Sequence, residues 1–254
     1  DLDYMESVMW AFKQLWDQNL IYESQRVIPY SWGAETPLSN FEIRLDDATR
    51  PRQDPAVTVA FDLFIEEGTS TKILAWTTTP WTLPSNLALA VAPDKEYALI
   101  ETPEGQYILG EETIESFAGA FGDFSILETF KGQKLVNLRY QPLFPYFQDL
   151  DTQAFRIIPG DFIEMNEGTG VVHIAPGFGE DDQRIADENG IPTVVPVNDE
   201  GAFTEEVTEW CGVNVFDANP LIIRKLKESG RIIRHDTYEH NYPHCWRTDT
   251  PIIY

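Results

Sequence analysis

The sequence predicts a mainly β fold with helical insertions, an α+β class built from many short strands. Three observations carry this. Short runs of β-branched and aromatic residues recur along the middle of the chain, each bounded by Gly, Pro or acidic turn signals. Helical periodicity is confined to a few stretches. The 254 residues are 43% hydrophobic and 13% aromatic, a folded composition with enough chain to bury a core.

Residues 3–19 read as an amphipathic helix, with Tyr4, Met5, Val8, Met9, Phe12, Leu15 and Trp16 at spacings of three and four. Asp3 is its N-cap and Asn19 its stop. Residues 20–30 alternate like a strand, broken by a polar turn at Ser24-Gln25. Residues 46–55 are polar and proline-bearing, which places a loop and a domain boundary there. Strands are predicted at 57–65, 72–77, 87–91, 97–101, 106–109, 124–129 and 170–174. Turns fall at Glu66-Glu67-Gly68, Pro103-Glu104-Gly105 and Glu167-Gly168. Helices are predicted at 111–117, at 180–189 with acids in the first turn and Gly190 after it, and at 219–229. The last has Asn219 as N-cap, Pro220 at the first position and Gly230 closing it. Many short strands with few helices suggest a β-barrel with helical insertions.

Charge narrows the function. Eighteen Lys and Arg stand against 42 Asp and Glu, for a net charge of -24. The excess is spread: -4 in residues 1–45, -9 in 46–150 and -11 in 151–254. A free-standing nucleic-acid binder wants clustered Lys and Arg, and an anionic membrane surface wants the same. Two cysteines, Cys211 and Cys245, make no disulfide framework, so a reducing, cytoplasmic setting is expected. The longest apolar run, 87–92, is far short of a membrane span. No signal-peptide pattern precedes the first helix, and the chain reads as a segment of a larger protein.

Three clusters could carry chemistry. The first is Trp76-Thr77-Thr78-Thr79-Pro80-Trp81-Thr82-Leu83-Pro84-Ser85-Asn86, a strand end followed by a proline-locked turn. Pinned hydroxyls donate and accept, which suits a polar ligand or a water. The same composition also describes an edge strand and a solvated turn. The second is Gly168-Thr169-Gly170-Val171-Val172-His173-Ile174-Ala175-Pro176-Gly177-Phe178-Gly179-Glu180-Asp181-Asp182, read as strand, turn and helix start. It has no phosphate-loop Lys, and three carboxylates would repel phosphate while suiting an ammonium group. Acids there also simply complement the helix dipole, and a single strand-end His is commonly structural. The third cluster gathers His235, His240, His244 and Cys245, with Cys211 upstream. Their spacing fits no standard zinc motif. There is no Cys-x-x-Cys and no Gly-x-Ser-x-Gly.

Together, the first two clusters resemble the editing domain of isoleucyl-tRNA synthetase, the connective-peptide insertion of that class I enzyme. The resemblance extends over the whole chain. Tyr4-Met5-Glu6-Ser7, Pro29-Tyr30-Ser31-Trp32 and Thr36-Pro37-Leu38-Ser39-Asn40-Phe41-Glu42 are similar to the segment leading into that insertion. Tyr242-Pro243-His244-Cys245-Trp246-Arg247-Thr248-Asp249-Thr250-Pro251 is similar to the segment leading out. The valyl and leucyl relatives carry Thr-Arg-Pro-Glu where this chain has Thr79-Pro80-Trp81-Thr82, and they lack a His at position 173. Phe178 stands where many bacterial isoleucyl enzymes have His, so no role of that His transfers; with the Tyr242–Arg247 spelling this looks like the eukaryote-like branch.

The resemblance implies a β-barrel editing domain at residues 46–234. Residues 1–45 would be the arm leading in, and 235–254 the arm leading back to the catalytic core. It implies hydrolysis of misacylated tRNA(Ile), chiefly valyl-tRNA(Ile), with no metal or cofactor. One methylene gives only about 1–3 kcal/mol of discrimination, isoleucine against valine being the standard illustration, so a second pocket is needed. Asp182 would hold the α-ammonium. His173 would oppose the larger side chain. Thr77, Thr78, Thr79 and Thr82, beside Trp81, would contact the terminal adenosine, the ester or the attacking water. No nucleophile–base pair is visible, so water attack positioned by hydroxyls is expected. The partners implied are the tRNA acceptor end and the remainder of the synthetase, with no membrane and a monomeric state. Neither His-Ile-Gly-His nor Lys-Met-Ser-Lys-Ser occurs, so amino-acid activation is not expected of this chain. The alternatives are a binding module that holds the acceptor end without hydrolysis, and a metal-dependent hydrolase using the third cluster. Weak, salt-sensitive RNA binding is expected.

Overall fold

Two sheets and a hairpin account for the strands of the computed structural model, which describes residues 1–65, 71–150 and 153–254. In chain order the elements are α1 (Leu2–Asp17), β1 (Tyr30–Ser31), β2 (Thr36–Pro37), β3 (Thr49–Asp62), β4 (Thr71–Thr77), β5 (Ala88–Val91) and β6 (Glu96–Thr102). There follow β7 (Gly105–Gly110), α2 (Ile114–Phe121), β8 (Ser125–Lys131), β9 (Arg156–Pro159), β10 (Val171–Ile174), α3 (Glu180–Glu188), α4 (Val215–Glu228) and β11 (Ile232–Pro243). A six-stranded sheet runs β11-β3-β4-β7-β6-β8, with β4 and β7 parallel and its other pairs antiparallel. A three-stranded sheet runs β10-β5-β9.

The period of two along β3 explains how the large sheet is buried on both faces. Val57, Val59 and Phe61 point into one core with Ile73 and Ala75 of β4, and Leu89, Val91, Ile157 and Val171 of the smaller sheet join it there. The alternate residues Ala60, Leu74, Ala98, Ile100 and Leu109 face α2 through Ile114, Phe117 and Phe121. The other side of β5, Ala88 and Ala90, packs with Ile158, Ile174 and the α3 residues Ile185 and Ala186. That last cluster seats α3 against the end of β10. The two sheets meet where Thr169, just before β10, donates its hydroxyl to the Leu74 carbonyl at 2.7 Å.

The fold class, α1, the turns at 103–105 and 167–168, and the predicted strands at 72–77, 87–91, 97–101 and 106–109 match these elements within a residue or two. The 66–68 turn lies outside the described residues. Several details differ. The alternating stretch 20–29 is not a strand; only Tyr30–Ser31 pairs, with β2. The polar run 46–55 is not a loop throughout, because β3 begins at Thr49 and pairs with β11 from Thr49 to Val59. β4 joins only from Val57 onward, so the first half of β3 has a free edge. Pro51 and Pro55 sit in that half, where a missing N–H is tolerated. Residues 111–117 begin as a 3-10 turn, Glu111–Thr113, and continue as α2 to Phe121. β9 and β11 carry no strong strand pattern in sequence; β11 is charged and His-bearing, and it runs unbroken through residue 235.

The last helix begins earlier than its strongest local signal. Asn214, not Asn219, is the N-cap, accepting from the Phe216 N–H at 3.1 Å, and Pro220 lies inside α4. Asn219 is drawn elsewhere: its Oδ1 accepts the Trp81 N–H at 3.0 Å. α1 has no buried residue, and Met5, Met9, Phe12 and Trp16 are exposed. No helix among the described residues is long and apolar enough to cross a membrane.

Replacing an N-cap Asn by Ala removes one first-turn acceptor and costs about 1 kcal/mol. Asn214→Ala is therefore expected to lower the unfolding free energy by that amount, seen as a lower urea midpoint with an unchanged slope. A midpoint equal to wild type would show that α4 does not draw on this cap.

Candidate functional site

The threonine segment turns where its prolines require. β4 ends at Thr77, and Pro80–Ser85 forms a fully buried 3-10 turn with Pro80 at its first position. This folds the hydroxyls back on one another. Thr77 Oγ1 lies 3.2 Å from Thr79 Oγ1, and Thr79 Oγ1 lies 3.3 Å from Thr82 Oγ1. Thr82 Oγ1 is 2.8 Å from Nε2 of His173 on β10, and Asn86 Nδ2 is 3.4 Å from the other ring nitrogen. Asn86 is itself held, donating to the Ala88 carbonyl at 2.8 Å and accepting from the Tyr140 hydroxyl at 2.7 Å.

Proton counting assigns a direction to every link. A threonine hydroxyl has one proton. Thr82 spends its own on the Thr79 carbonyl at 2.8 Å. It must therefore accept from His173, so Nε2 carries the ring proton and Nδ1 accepts from Asn86. Thr79 then donates to Thr82, and Thr77 to Thr79. His173 is fixed as a neutral imidazole. Burial agrees, pushing its pKa down to about 4. Thr77 and Thr79 each retain acceptor capacity. The Thr78 hydroxyl has no side-chain hydrogen bond among the described residues. Trp81 Nε1 and Ser85 Oγ are buried with no hydrogen-bond partner among the described residues.

Asp182, in the first turn of α3, reaches the same strand end. Its Oδ2 accepts the Ala175 N–H at 2.9 Å, two residues beyond His173. Gly179 makes the approach fit, since a Cβ there would lie 3.0 Å from the carboxyl carbon. Gly177 is tighter still, a Cβ meeting the Val194 carbonyl oxygen at 2.4 Å. Desolvation pushes the Asp182 pKa up to about 7, the Ala175 hydrogen bond opposes it, and the neighbouring Asp181 charge adds to the rise. α3 is braced from the N-terminal segment, where Gln183 Oε1 accepts the Val27 N–H at 3.0 Å and Arg26 pairs with Glu180 at 3.3 Å.

The structure thus brings Thr77, Thr79, Thr82 and His173 into one chain, with Asp182 tied to the strand that carries the His. The Trp81 ring packs edge-on to Phe178 at 4.9 Å, and its backbone N–H donates to Asn219. Phe178 therefore fills its position by aromatic packing. Asn86, Tyr140 and Asn219 join the site without having been expected there. Asn86 lies inside the threonine motif, but no local signal marks the other two, whose partners are distant in sequence. The third cluster disperses along β11: His235 meets Lys227, His240 meets Asp54, and His244 meets the Tyr242 carbonyl. Among the described residues no three His, Cys, Asp or Glu are grouped to hold a metal ion.

The threonine turn and His173 thus meet where the two sheets share one core. The chain matches the family tRNA synthetases class I (I, L, M and V) over residues 1–236 and belongs to it. Its fold is similar to that of GlLeuRS-CP1, with a TM-score of 0.56 at 16% identity over 71% of this chain and 98% of that one. It is also similar to the editing domain of the P. knowlesi cytosolic leucyl-tRNA synthetase, with a TM-score of 0.54 at 15% identity over 76% and 99% of the two chains. In sequence it sides with the isoleucine enzymes. The isoleucine–tRNA ligase of Rickettsia africae is 52% identical over 263 residues, covering all of this chain and 24% of that protein. The chain thus spans about a quarter of the length of such relatives and corresponds to their connective-peptide editing region.

Asp182 yields a stability test. Folded, it keeps its proton up to about pH 7; unfolded, it releases it near 3.9. The folded state is proton-rich between those values, so this group's contribution to stability falls as pH rises through that window. Asp182→Asn is expected to raise the melting temperature at pH 8 and to leave it near wild type at pH 4. An equal shift at both pH values would count against a desolvated carboxyl.

Proposed function

We propose that the chain performs post-transfer editing, hydrolysing the ester of misacylated tRNA(Ile), chiefly valyl-tRNA(Ile). In this reading residues 46–234 are the hydrolytic body. Residues 1–45 and 235–254 are arms joined to the remainder of a cytoplasmic synthetase, against which the exposed apolar residues of α1 would pack. The observation that carries the reading is the junction at Ala175: a carboxylate anchored two residues from a neutral His that is itself bonded into a line of threonine hydroxyls.

Each part has a role that follows from its chemistry. Asp182 accepts the α-ammonium of the aminoacyl group. That cation favours the charged carboxylate and offsets the desolvation that otherwise keeps the proton on. Thr77 and Thr79 have spent their protons within the line, so they meet a water as acceptors and turn its lone pair toward the ester carbonyl. Thr78, whose hydroxyl is uncommitted, and the ribose hydroxyl of the substrate complete its position. Catalysis then rests on orientation and local electrostatics, with no covalent intermediate. Neutral His173 acts as a wall, opposing the additional methylene of isoleucine.

Asp182→Ala is expected to abolish deacylation of valyl-tRNA(Ile), assayed with protein in excess. Full activity in that variant would remove Asp182 from the site. His173→Ala should raise the rate on isoleucyl-tRNA(Ile) relative to valyl-tRNA(Ile), and an unchanged ratio would refute the size filter. Because free-enzyme ionisation governs kcat/KM, its value relative to spontaneous hydrolysis should rise with pH around 7 as Asp182 ionises. A flat profile between pH 6 and 8 would contradict an ammonium held by that carboxylate.

A further inference from the structure

A cleft of about 580 Å³ opens between the first half of β3 and one face of α4, outside the hydrolytic site. Arg52, Arg224, Lys227 and His235 line it, with Asp54 as the acidic lining residue. Three of these, Arg52, Arg224 and Lys227, are cations, set in a chain of net charge -24. Asp54 is committed to one of these groups, its carboxylate pairing with Arg52 Nε and facing His240 Nε2, each at 2.8 Å, which leaves Arg224 and Lys227 without an acidic partner there. Arg52 is stacked 4.6 Å over the Phe216 ring, which holds its guanidinium at the cleft wall with terminal nitrogens to spare.

The two α4 cations are distinctive. Arg224 and Lys227 are three residues apart on one helix face, both exposed, and neither forms an ion pair with a carboxylate among the described residues. Lys225, between them, faces another way and pairs with Glu209 at 3.0 Å. Lys227 instead donates to His235 Nδ1 at 2.8 Å. Burial first, and the Lys227 charge second, hold that imidazole below its usual range, so a base supports the ammonium without cancelling its charge. The cleft is also joined to the threonine segment: its lining residue Asn219 accepts the Trp81 N–H, and the rings of Phe216 and Trp81 lie 6.3 Å apart.

We infer that this cleft is the track for the phosphate backbone of the tRNA acceptor strand as it leaves the hydrolytic site. The inference rests on the editing reading for the identity of the RNA, but the cleft's charge and position do not depend on which group activates water. Repulsion from the acidic surface elsewhere confines an anionic strand to this path, so Arg52, Arg224 and Lys227 set the route as well as the affinity.

The test is fluorescence anisotropy of the chain with an acceptor-stem minihelix bearing its single-stranded 3′ end, from 50 to 200 mM salt. Each lost phosphate contact on a single strand lowers the magnitude of the log–log salt slope by about 0.7. Arg224→Ala/Lys227→Ala should lower it by about 1.4 and weaken binding about tenfold at 50 mM salt. Lys131→Ala/Lys134→Ala, removing two cations from the far edge of the six-stranded sheet, should change neither. Equal slopes for wild type and the α4 variant, or a wild type that binds no minihelix, would overturn the proposal. Deacylation by the wild-type chain is scored separately. Slope loss in the α4 variant without any wild-type deacylation would leave the track standing and remove the hydrolytic reading. Deacylation with equal slopes would do the reverse.

Discussion

One buried hydrogen bond, from His173 Nε2 to Thr82 Oγ1, organises the candidate site. It joins residues 91 positions apart, on a strand of the small sheet and on the turn that follows a strand of the large one. Both partners are buried, so breaking it would leave polar atoms unsatisfied at about 1–3 kcal/mol. Its direction sets the others. Because Thr82 accepts from the imidazole, the upstream hydroxyls donate toward Thr82, and the unspent capacity of the line emerges as lone pairs at Thr77 and Thr79. Reversing the ring tautomer would leave two donors facing each other at Asn86. The chemistry the site can offer is thus written by proton bookkeeping in its packed interior.

Burial gives Asp182 and His173 opposite titration behaviour. His173, with a folded pKa near 4, stabilises the fold above its unfolded value of about 6.5 and loses that contribution as pH falls toward 4. Asp182, with a folded pKa near 7, does the opposite over nearly the same window. Unfolding therefore releases a proton from one group and takes one up at the other. The same apolar surroundings cause both shifts, since desolvation penalises whichever form is charged. A substrate ammonium changes only the carboxyl's side of this balance.

Much of this was legible in the sequence. Strands buried on both faces announce themselves as unbroken runs of β-branched, aromatic and small residues, as from Ala56 to Phe61, because a core lies against each side. The two motifs were visible because prolines and glycines constrain the backbone whatever the tertiary context. What escaped was decided at long range. β11 is polar and His-bearing, and it is a strand because β3 offers it a ladder. Pro51 and Pro55 suggested a loop, yet they lie where β3 has a free edge. Asn219-Pro220 has the spelling of a helix start, but the Asn is held by Trp81 and the true cap lies five residues earlier. Tyr140 enters the site through Asn86, a partner 54 residues away, which no window on the sequence reveals.

The pairing of Tyr30 with Ile253 has a consequence for architecture. Their backbones exchange hydrogen bonds of 2.7 and 2.9 Å, and β3 and β11 continue side by side just inside them. Everything between is a closed loop seen from that point, entered and left at a single doorway. Loop-closure entropy grows only with the logarithm of loop length, so a doorway of this kind tolerates growth or shrinkage behind it at small thermodynamic cost. A ribbon of two antiparallel strands also bends more readily than it stretches or slips, because slipping by one residue would invert every side chain along it. The alternation of side chains along β3 and β11 thus fixes the register of the doorway, and Val27 and Arg26, just outside it, reach across to α3 and hold the site in place.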